Sequence, residues 1–146
     1  MPTGARRDPF KNYSFLVEID GIAAASFKTV SGLSAEVELL EYREGSDPVS
    51  SSRKLPGRIR YPNVTLRRGL TTSSDLWDWW ESVSEGGAYR RNVAITLLDD
   101  LHTPVLSWRL RNAFPVKFEL SELDASKNEV AIESIELAHE GLELDK

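Results

Sequence analysis

Cysteine is absent from this chain, and histidine occurs only twice. The absence of cysteine excludes a disulfide framework and a thiolate metal site. No apolar run approaches the roughly 18–20 residues that a membrane span needs, so we expect no membrane contact by the monomer. The amino terminus carries two arginines with no apolar region behind them, which predicts no secretory signal and a protein made in the cytoplasm.

Motifs that carry chemistry are equally scarce. His102 lies in a predicted turn, Asp99–Pro104, where a solvated hairpin tip is a simpler interpretation than an acid–base or metal site. His139 has no partner recognisable from spacing, and no serine lies in a G-x-S-x-G elbow. Gly86-Gly87 follows a predicted helix instead of opening one, the wrong order for phosphate binding. We therefore predict no enzyme activity, no metal and no cofactor.

Alternation of apolar and polar residues predicts a mainly β fold. The alternating runs are Tyr13–Ile19, Val37–Leu39, Ile59–Leu66, Val93–Leu97, Leu106–Leu110, Val116–Leu120 and Val130–Leu137. The period slips at Pro62-Asn63 and again near Glu133-Ser134, which predicts a bulge at each place. These runs indicate a β-sandwich or barrel of about seven to eight antiparallel strands. We expect one domain spanning residues 1–146.

One flanking α-helix is predicted at about residues 74–84, with Ser73 or Ser74 as its N-cap and Glu85-Gly86-Gly87 at its end. Its apolar residues share one arc: Leu76, Trp77, Trp79, Trp80 and Val83. A tryptophan-rich stripe could form a platform for a ligand or a nucleobase. Packing against a sheet is the more ordinary role. We predict Leu76, Trp77, Trp80 and Val83 as core contacts of the helix.

The segment at about residues 41–58 is predicted to be a long extended loop. Its content of Gly, Pro and Ser argues against a regular element, and loops of this length inside a compact domain are usually functional or disordered. An ordinary solvated loop has no need of apolar groups, so we favour an arm that orders on a neighbouring subunit over a floppy surface loop. The residues predicted to mediate this self-assembly are Tyr42, Arg43, Glu44, Arg53, Lys54, Leu55, Pro56 and Arg58.

Charge is distributed unevenly along the chain. Six basic residues and no acidic residue lie between Arg53 and Arg68, whereas nine acidic residues and two lysines lie between Glu119 and Lys146. The simplest interpretation is two solvated faces. The alternative is a pair of complementary surfaces that meet head to tail between copies, a contact that builds rings or filaments. Nucleic-acid binding by the basic stretch is disfavoured because it has few aromatic residues for stacking.

An ordered series of motifs resembles the tail-tube proteins of contractile phage tails and the inner-tube proteins of phage-derived contractile injection systems. The motifs are F-x-VEIDG (Phe15–Gly21), F-x-x-VSGL (Phe27–Leu33), EYREG (Glu41–Gly45), RKLPG (Arg53–Gly57), Y-x-N-x-TLRRGLT (Tyr61–Thr71, with Leu66, Arg67, Arg68, Gly69 and Leu70) and LWDWW (Leu76–Trp80). The resemblance implies an Hcp-like tube fold. It also implies self-assembly into hexameric rings stacked around a lumen, with the long loop bridging subunits.

The same resemblance implies partners and a location. The partners would be sheath, baseplate and cap proteins, with lumen cargo of a protein effector, a tape measure or DNA. The location would be the bacterial cytoplasm during assembly and then a phage virion tail or a contractile injection particle. Two alternatives stay open: a tube-initiator or baseplate protein of the same fold, and a monomeric β-sandwich binding module.

Overall fold

The computed structural model describes residues 14–43, 45 and 53–145. In this part of the chain there are ten strands and one helix. The elements are β1 (Phe15–Ile19), β2 (Ile22–Ala25), β3 (Thr29–Ser31), β4 (Glu36–Tyr42), β5 (Arg53–Arg60), β6 (Val64–Gly69), α1 (Asp75–Ser84), β7 (Arg91–Leu98), β8 (Pro104–Leu120), β9 (Ile132–Ala138) and β10 (Gly141–Asp145).

The long strand β8 organises the antiparallel sheet. Its first half pairs with β7 on one side and β10 on the other, and its second half pairs with β9. Strands β1 and β2 extend the sheet beyond β7, while β6 and β3 extend it beyond β9, so the order is β2-β1-β7-β8-β9-β6-β3. The end strands β2 and β3 do not pair with each other in the described part of the chain, so this sheet is not a closed barrel.

The two halves of this sheet share one hydrophobic core, as the prediction of a β-sandwich requires. Alternate residues of β1 and β7 point into the core from one half, and alternate residues of β6 and β9 do so from the other. The buried members are Val17, Ile19, Val64, Leu66, Leu76, Trp79, Val93, Ile95, Leu110, Ala113, Ile135 and Leu137. The mainly β fold with one flanking helix is confirmed.

Strand β8 changes its neighbours at a local distortion. Asn112 has a φ of 51°, in the left-handed region that asparagine tolerates better than most residues. Its side-chain amide donates to Glu140 Oε2 at 2.9 Å. A few residues later the pairing of β8 with β9 shifts between Pro115 and Lys117, so the bulge lies there.

The bulge predicted near Glu133-Ser134 is wrong, because β9 keeps regular register with β6 throughout. Val130 lies outside the strand and is 75% exposed, whereas Glu133 occupies a buried position of the alternating pattern. The slip at Pro62-Asn63 also has another origin, because residues 61–63 separate two strands that belong to different sheets.

The helix begins one residue later than predicted and packs on β8. Ser74 occupies the N-cap position, but its hydroxyl bonds to Asp78 Oδ2 at 3.1 Å and does not cap the backbone, which corrects that prediction. Gly86, with a φ of 72°, follows the helix as expected for a C-terminal glycine. None of the described residues forms a helix of the length and apolarity that crossing a membrane requires.

Candidate assembly surface

Both ends of the segment predicted as a long loop belong to a β-hairpin, which we call the arm (β4 and β5); residues 44 and 46–52 lie outside the described residues. The prediction that the segment has no regular element is therefore wrong. Leu40 lies opposite Leu55 and Tyr42 opposite Arg53, and Pro56 and Gly57 lie within β5. Among the described strands, β4 and β5 pair only with each other. Proline is tolerated because this strand is an edge of a two-stranded sheet.

The arm exposes apolar side chains on both of its faces. Cross-strand pairing puts Leu40 and Leu55 on one face and Leu39 on the other. The exposed fractions run from 45% to 64% for six large apolar side chains: Val37, Leu39, Leu40, Tyr42, Leu55 and Ile59. A hairpin with this much apolar surface is unusual for a solvated element and marks an interaction site.

The residues predicted to mediate self-assembly lie on or beside the arm. Tyr42 ends β4 and Arg43 follows it, and both are exposed. Arg53, Lys54, Leu55, Pro56 and Arg58 all lie on β5 and are exposed. Glu44 lies outside the described residues. The other apolar residues of the arm, Val37, Leu39, Leu40 and Ile59, were missed as assembly residues; their signal was an apolar content that an exposed strand does not need.

A second candidate contact lies on the body, at the part of β8 that pairs on one side only. Pairing of β8 with β7 ends at Ala113. Residues 114–120 of β8 therefore have β9 as their only neighbouring strand in the described part of the chain. We call residues 114–120 the open edge. Val116 and Leu120 on this edge are 38% and 43% exposed. Unpaired strand edges accept strands from other chains.

Trp77 lies beside the open edge. Its ring meets Phe118 edge to face at 5.2 Å between centroids, and it is 46% exposed. Trp79 instead is buried, and its indole N–H donates to Tyr89 O at 2.6 Å. Of the other helix residues predicted as core contacts, Leu76 is fully buried and both Trp80 and Val83 are partly buried.

The TLRRGLT motif contains a buried ion cluster. Arg68 is 4% exposed and Glu133 is 3% exposed, and the Arg68 Nε donates to Glu133 while its terminal nitrogen donates to Asp75. The guanidinium also lies 5.6 Å from the ring centroid of Phe27. One arginine thus ties β6 to β9 and to the first turn of the helix.

The charge state of this cluster follows from its contacts. Burial raises the pKa of Asp75, but the hydrogen bonds and charge of Arg68 outweigh burial, so the pKa of Asp75 lies below its usual value. Burial likewise lowers the pKa of Arg68, and its bonds to Asp75 and Glu133 raise it further than burial lowers it. The neighbouring motif residues differ: Leu66 is buried, Arg67 is exposed, and Leu70 is 43% exposed.

The acidic C-terminal stretch carries much less unbalanced charge than its composition indicates. Six of its carboxylates form ion pairs within the described part of the chain: Glu119 with Lys117, Glu122 with Lys127, Glu133 with Arg68, Glu140 with Arg90, Glu143 with Arg111, and Asp145 with Arg109. The basic stretch is also divided, since Arg68 is buried in the body while Lys54 lies opposite Glu41 on the arm.

The two histidines occupy different local settings in the structure. His102 is the exposed tip of a tight turn in which Asp99 Oδ1 accepts the backbone N–H groups of Leu101 and Thr103, each at 2.9 Å. This matches a solvated hairpin tip. His139 bonds to a backbone carbonyl. The described residues bring together no group of three or more His, Asp or Glu side chains suited to a metal ion.

The described part of the chain thus combines a two-layer β-sandwich, an apolar arm and an open edge. The chain belongs to the family of T4-like virus tail tube proteins gp19, which matches residues 11–143. No curated protein matches the chain significantly in sequence.

Solved structures support the same assignment. The chain is 29% identical to a chain of the extracellular contractile injection system PVC sheath–tube complex in its extended state, with a TM-score of 0.84, covering 94% of this chain and 91% of that one. It is 27% identical to a chain of the anti-feeding prophage cap, with a TM-score of 0.87, covering 99% and 95%. Hcp1 from Flavobacterium johnsoniae shares the fold at 13% identity and a TM-score of 0.56, covering 90% and 94%. The protein is therefore a tail tube-like component of a phage tail or a contractile injection particle.

Proposed function

We propose that this chain, as a single domain spanning residues 1–146, forms the inner tube of such a particle by stacking hexameric rings around a lumen. The observation that carries the proposal is the arm, a hairpin with apolar side chains on both faces and no strand partner in the rest of the described chain. A surface that is apolar on two sides suits an element held between neighbouring copies. The open edge supplies a second contact, where strands of adjacent copies can continue one sheet.

Docking of the arm is driven mainly by its apolar side chains and less by charge. Full burial of a Leu, Ile or Val side chain gives about 1.5–3 kcal/mol, so six side chains that are about half exposed give roughly 6 kcal/mol on docking. Charge contributes less, because most acidic groups of the C-terminal stretch are paired within the chain and exposed pairs are worth little.

The test compares two aspartate variants at exposed leucines. Leu40→Asp with Leu55→Asp changes one face of the arm, whereas Leu101→Asp changes a loop leucine that is 84% exposed and far from the arm in sequence. Sedimentation and negative-stain microscopy should show tubes for the wild type and for the Leu101 variant, and no tubes for the arm variant. Wild-type protein that stays monomeric when concentrated would refute the proposal and favour a binding module.

Charge reversal at Arg53 and Lys54 separates the two contributions. If the arm docks through apolar contact, Arg53→Glu with Lys54→Glu shortens tubes only slightly, and wild-type tubes persist in high salt. Strong salt sensitivity of wild-type tubes would contradict the apolar mechanism while leaving the tube function in place.

The role of an inner tube also implies partners. We infer contacts with sheath, baseplate and cap proteins of the same particle, with assembly in the bacterial cytoplasm. The neighbouring structures include sheath–tube, baseplate and cap chains, so a place in an initiator or terminator ring is the second candidate. Quantifying the chain in purified particles decides between them, because a main tube protein is present in many rings and an initiator in one or two.

A further inference from the structure

The arm is attached to the body by two short segments that meet at one place. Residues 32–35 lead into β4, and residues 61–63 lead from β5 into β6. We call the contacts of Tyr61, Pro62 and Asn63 with Glu136 and His139, together with the close approach of Gly32 to Asn63, the root clamp. Glu136 lies near the end of β9, and His139 directly follows that strand.

Side chains on and beside β9 hold the second segment from two sides. Asn63 Nδ2 donates to Glu136 Oε2 at 2.8 Å. His139 Nε2 lies 3.1 Å from Pro62 O, and since a carbonyl only accepts, Nε2 carries the proton. The ring of Tyr61 lies against the imidazole at 5.7 Å between centroids. His139 Nδ1 is buried and has no hydrogen-bond partner in the described part of the chain.

The first segment is pressed against the second at a glycine. Gly32 has a φ of 90°, and a Cβ atom there would lie 2.3 Å from Asn63 O. Only glycine fits this position, because any other residue type would combine a strained backbone conformation with a clash of its Cβ atom. Gly32, Tyr61 and Asn63 are motif residues of the sequence, in VSGL and Y-x-N, and none of them lies on the arm itself.

We propose that the root clamp sets the direction of the arm in the free subunit, before any neighbour is present. His139, Asn63 and Glu136 are then positioning residues, which act on assembly through the arm. The reason is that an arm with no other strand partner in the described chain would otherwise sample many directions. Fixing that direction in advance reduces the entropy lost at each docking event. The inference rests on the proposed function for its consequence, although the direction of the arm is measurable in the unassembled subunit.

The variants separate the hydrogen bond from the packing. His139→Phe keeps a ring beside Tyr61 and removes the donor to Pro62, whereas His139→Gln keeps a donor of similar reach. His102→Gln is the control, because it removes a histidine at an exposed turn. The chain has no cysteine, so Arg58→Cys on the arm and Lys127→Cys on the body accept a pair of spin labels without side reactions.

Label-to-label distances in dilute, unassembled subunits test the clamp directly. We expect a narrow distance distribution for the wild type, His139→Gln and His102→Gln, and a broad one for His139→Phe. In unlabelled protein, the lowest concentration at which tubes grow should rise about two- to ten-fold for His139→Phe, the change that one hydrogen bond corresponds to. It should stay within about two-fold for His139→Gln.

An unchanged, narrow distribution in His139→Phe would overturn the proposal, as would an equally broad one in the wild type. If His139→Phe lowers the melting temperature of the body, Asn63→Ala replaces it, because Asn63 is exposed. Its label-to-label distances and tube growth are measured in the same way, and a narrow distance distribution for Asn63→Ala would also overturn the proposal. Wild-type subunits with a narrow distribution that never form tubes would refute the tube function and leave the clamp standing.

Discussion

The buried position of Arg68 leads to a prediction about stability that can be made quantitative. Glu133→Leu removes one partner of a guanidinium that is 4% exposed, and leaves Asp75 as the remaining carboxylate of the cluster. Breaking a buried ion pair from one side costs about 3–5 kcal/mol when the other charge is left without compensation. Because Asp75 still compensates part of the Arg68 charge, we expect a loss near the lower end of that range. Typical domains are stable by about 5–15 kcal/mol, so this loss is a large fraction of the total.

Removing both charges should be far less harmful than removing one. In Arg68→Met with Glu133→Leu, apolar side chains of similar volume replace the pair, a change that is often neutral or stabilising. Asp75 tolerates the loss of Arg68 because its side chain is 23% exposed and can be hydrated. The double variant should therefore recover most of the free energy of unfolding that Glu133→Leu loses.

Urea unfolding of dilute, unassembled subunits measures these free energies, with the fluorescence of the four tryptophans, of which Trp79 is buried in the core, as the reporter. Arg111→Met and Glu143→Leu form the matched control, an exposed pair at 3.0 Å with side chains 52% and 51% exposed. Each control change should stay within about 1 kcal/mol. A loss below about 1 kcal/mol for Glu133→Leu, or a double variant as unstable as the sum of its single changes, would refute the reasoning.

Three further predictions concern the body of the protein. The pKa of Asp75 is lower in the folded than in the unfolded state, so its contribution to stability is complete above about pH 4 and is lost as the pH falls through the folded-state pKa. In urea titrations at several pH values, Asp75→Asn should reduce the loss of the free energy of unfolding at acid pH. Asp124→Asn, a change at an exposed site, is the control and should reduce this loss less. Trp79→Ala should cost about 3–5 kcal/mol in urea unfolding, whereas Trp77→Ala should cost clearly less and should act instead on tube assembly, seen by negative stain. Asn112→Val should cost about 1–2 kcal/mol in thermal unfolding, because a β-branched residue is strained at its positive φ.

The body of the sandwich was predictable because one face of each strand is buried. Val93 and Ile95 alternate with more exposed residues in β7, and that alternation is visible in the sequence before any contact is known. The helix was predictable for the same reason, since Leu76 and Trp79 repeat at helical spacing and both are buried. Periodicity arises where a regular element lies between core and solvent.

The arm was mispredicted because both of its faces are exposed. A strand without a buried face has no reason to alternate, so β5 reads as a loop that contains Pro56 and Gly57. Proline and glycine mark a turn inside a sheet but are compatible with an edge strand. The apolar content of the segment, rather than its pattern, was the useful signal.

The ion cluster could not be found from the sequence because its members are far apart along the chain. Arg68 and Glu133 are separated by 65 positions, and nothing local marks either residue as buried. A glutamate at an inward position also breaks the apolar pattern, which explains why β9 was read with a bulge. The same distance problem hides the pairing of the acidic C-terminal stretch with Arg90, which lies before β7, and with two arginines of β8.

The division between body and arm determines how the subunit responds to concentration. The body buries its core within one chain and gains its stability without a neighbour. The arm leaves its apolar side chains between 45% and 64% exposed in the free subunit, so in the proposed tube their burial would be gained on contact with another copy. That gain, roughly 6 kcal/mol, is of the same size as the 4–15 kcal/mol or so that association costs in lost motion, so one arm alone leaves little net free energy to hold two subunits together. In the proposed tube we therefore expect each subunit to use its arm and its open edge at the same time.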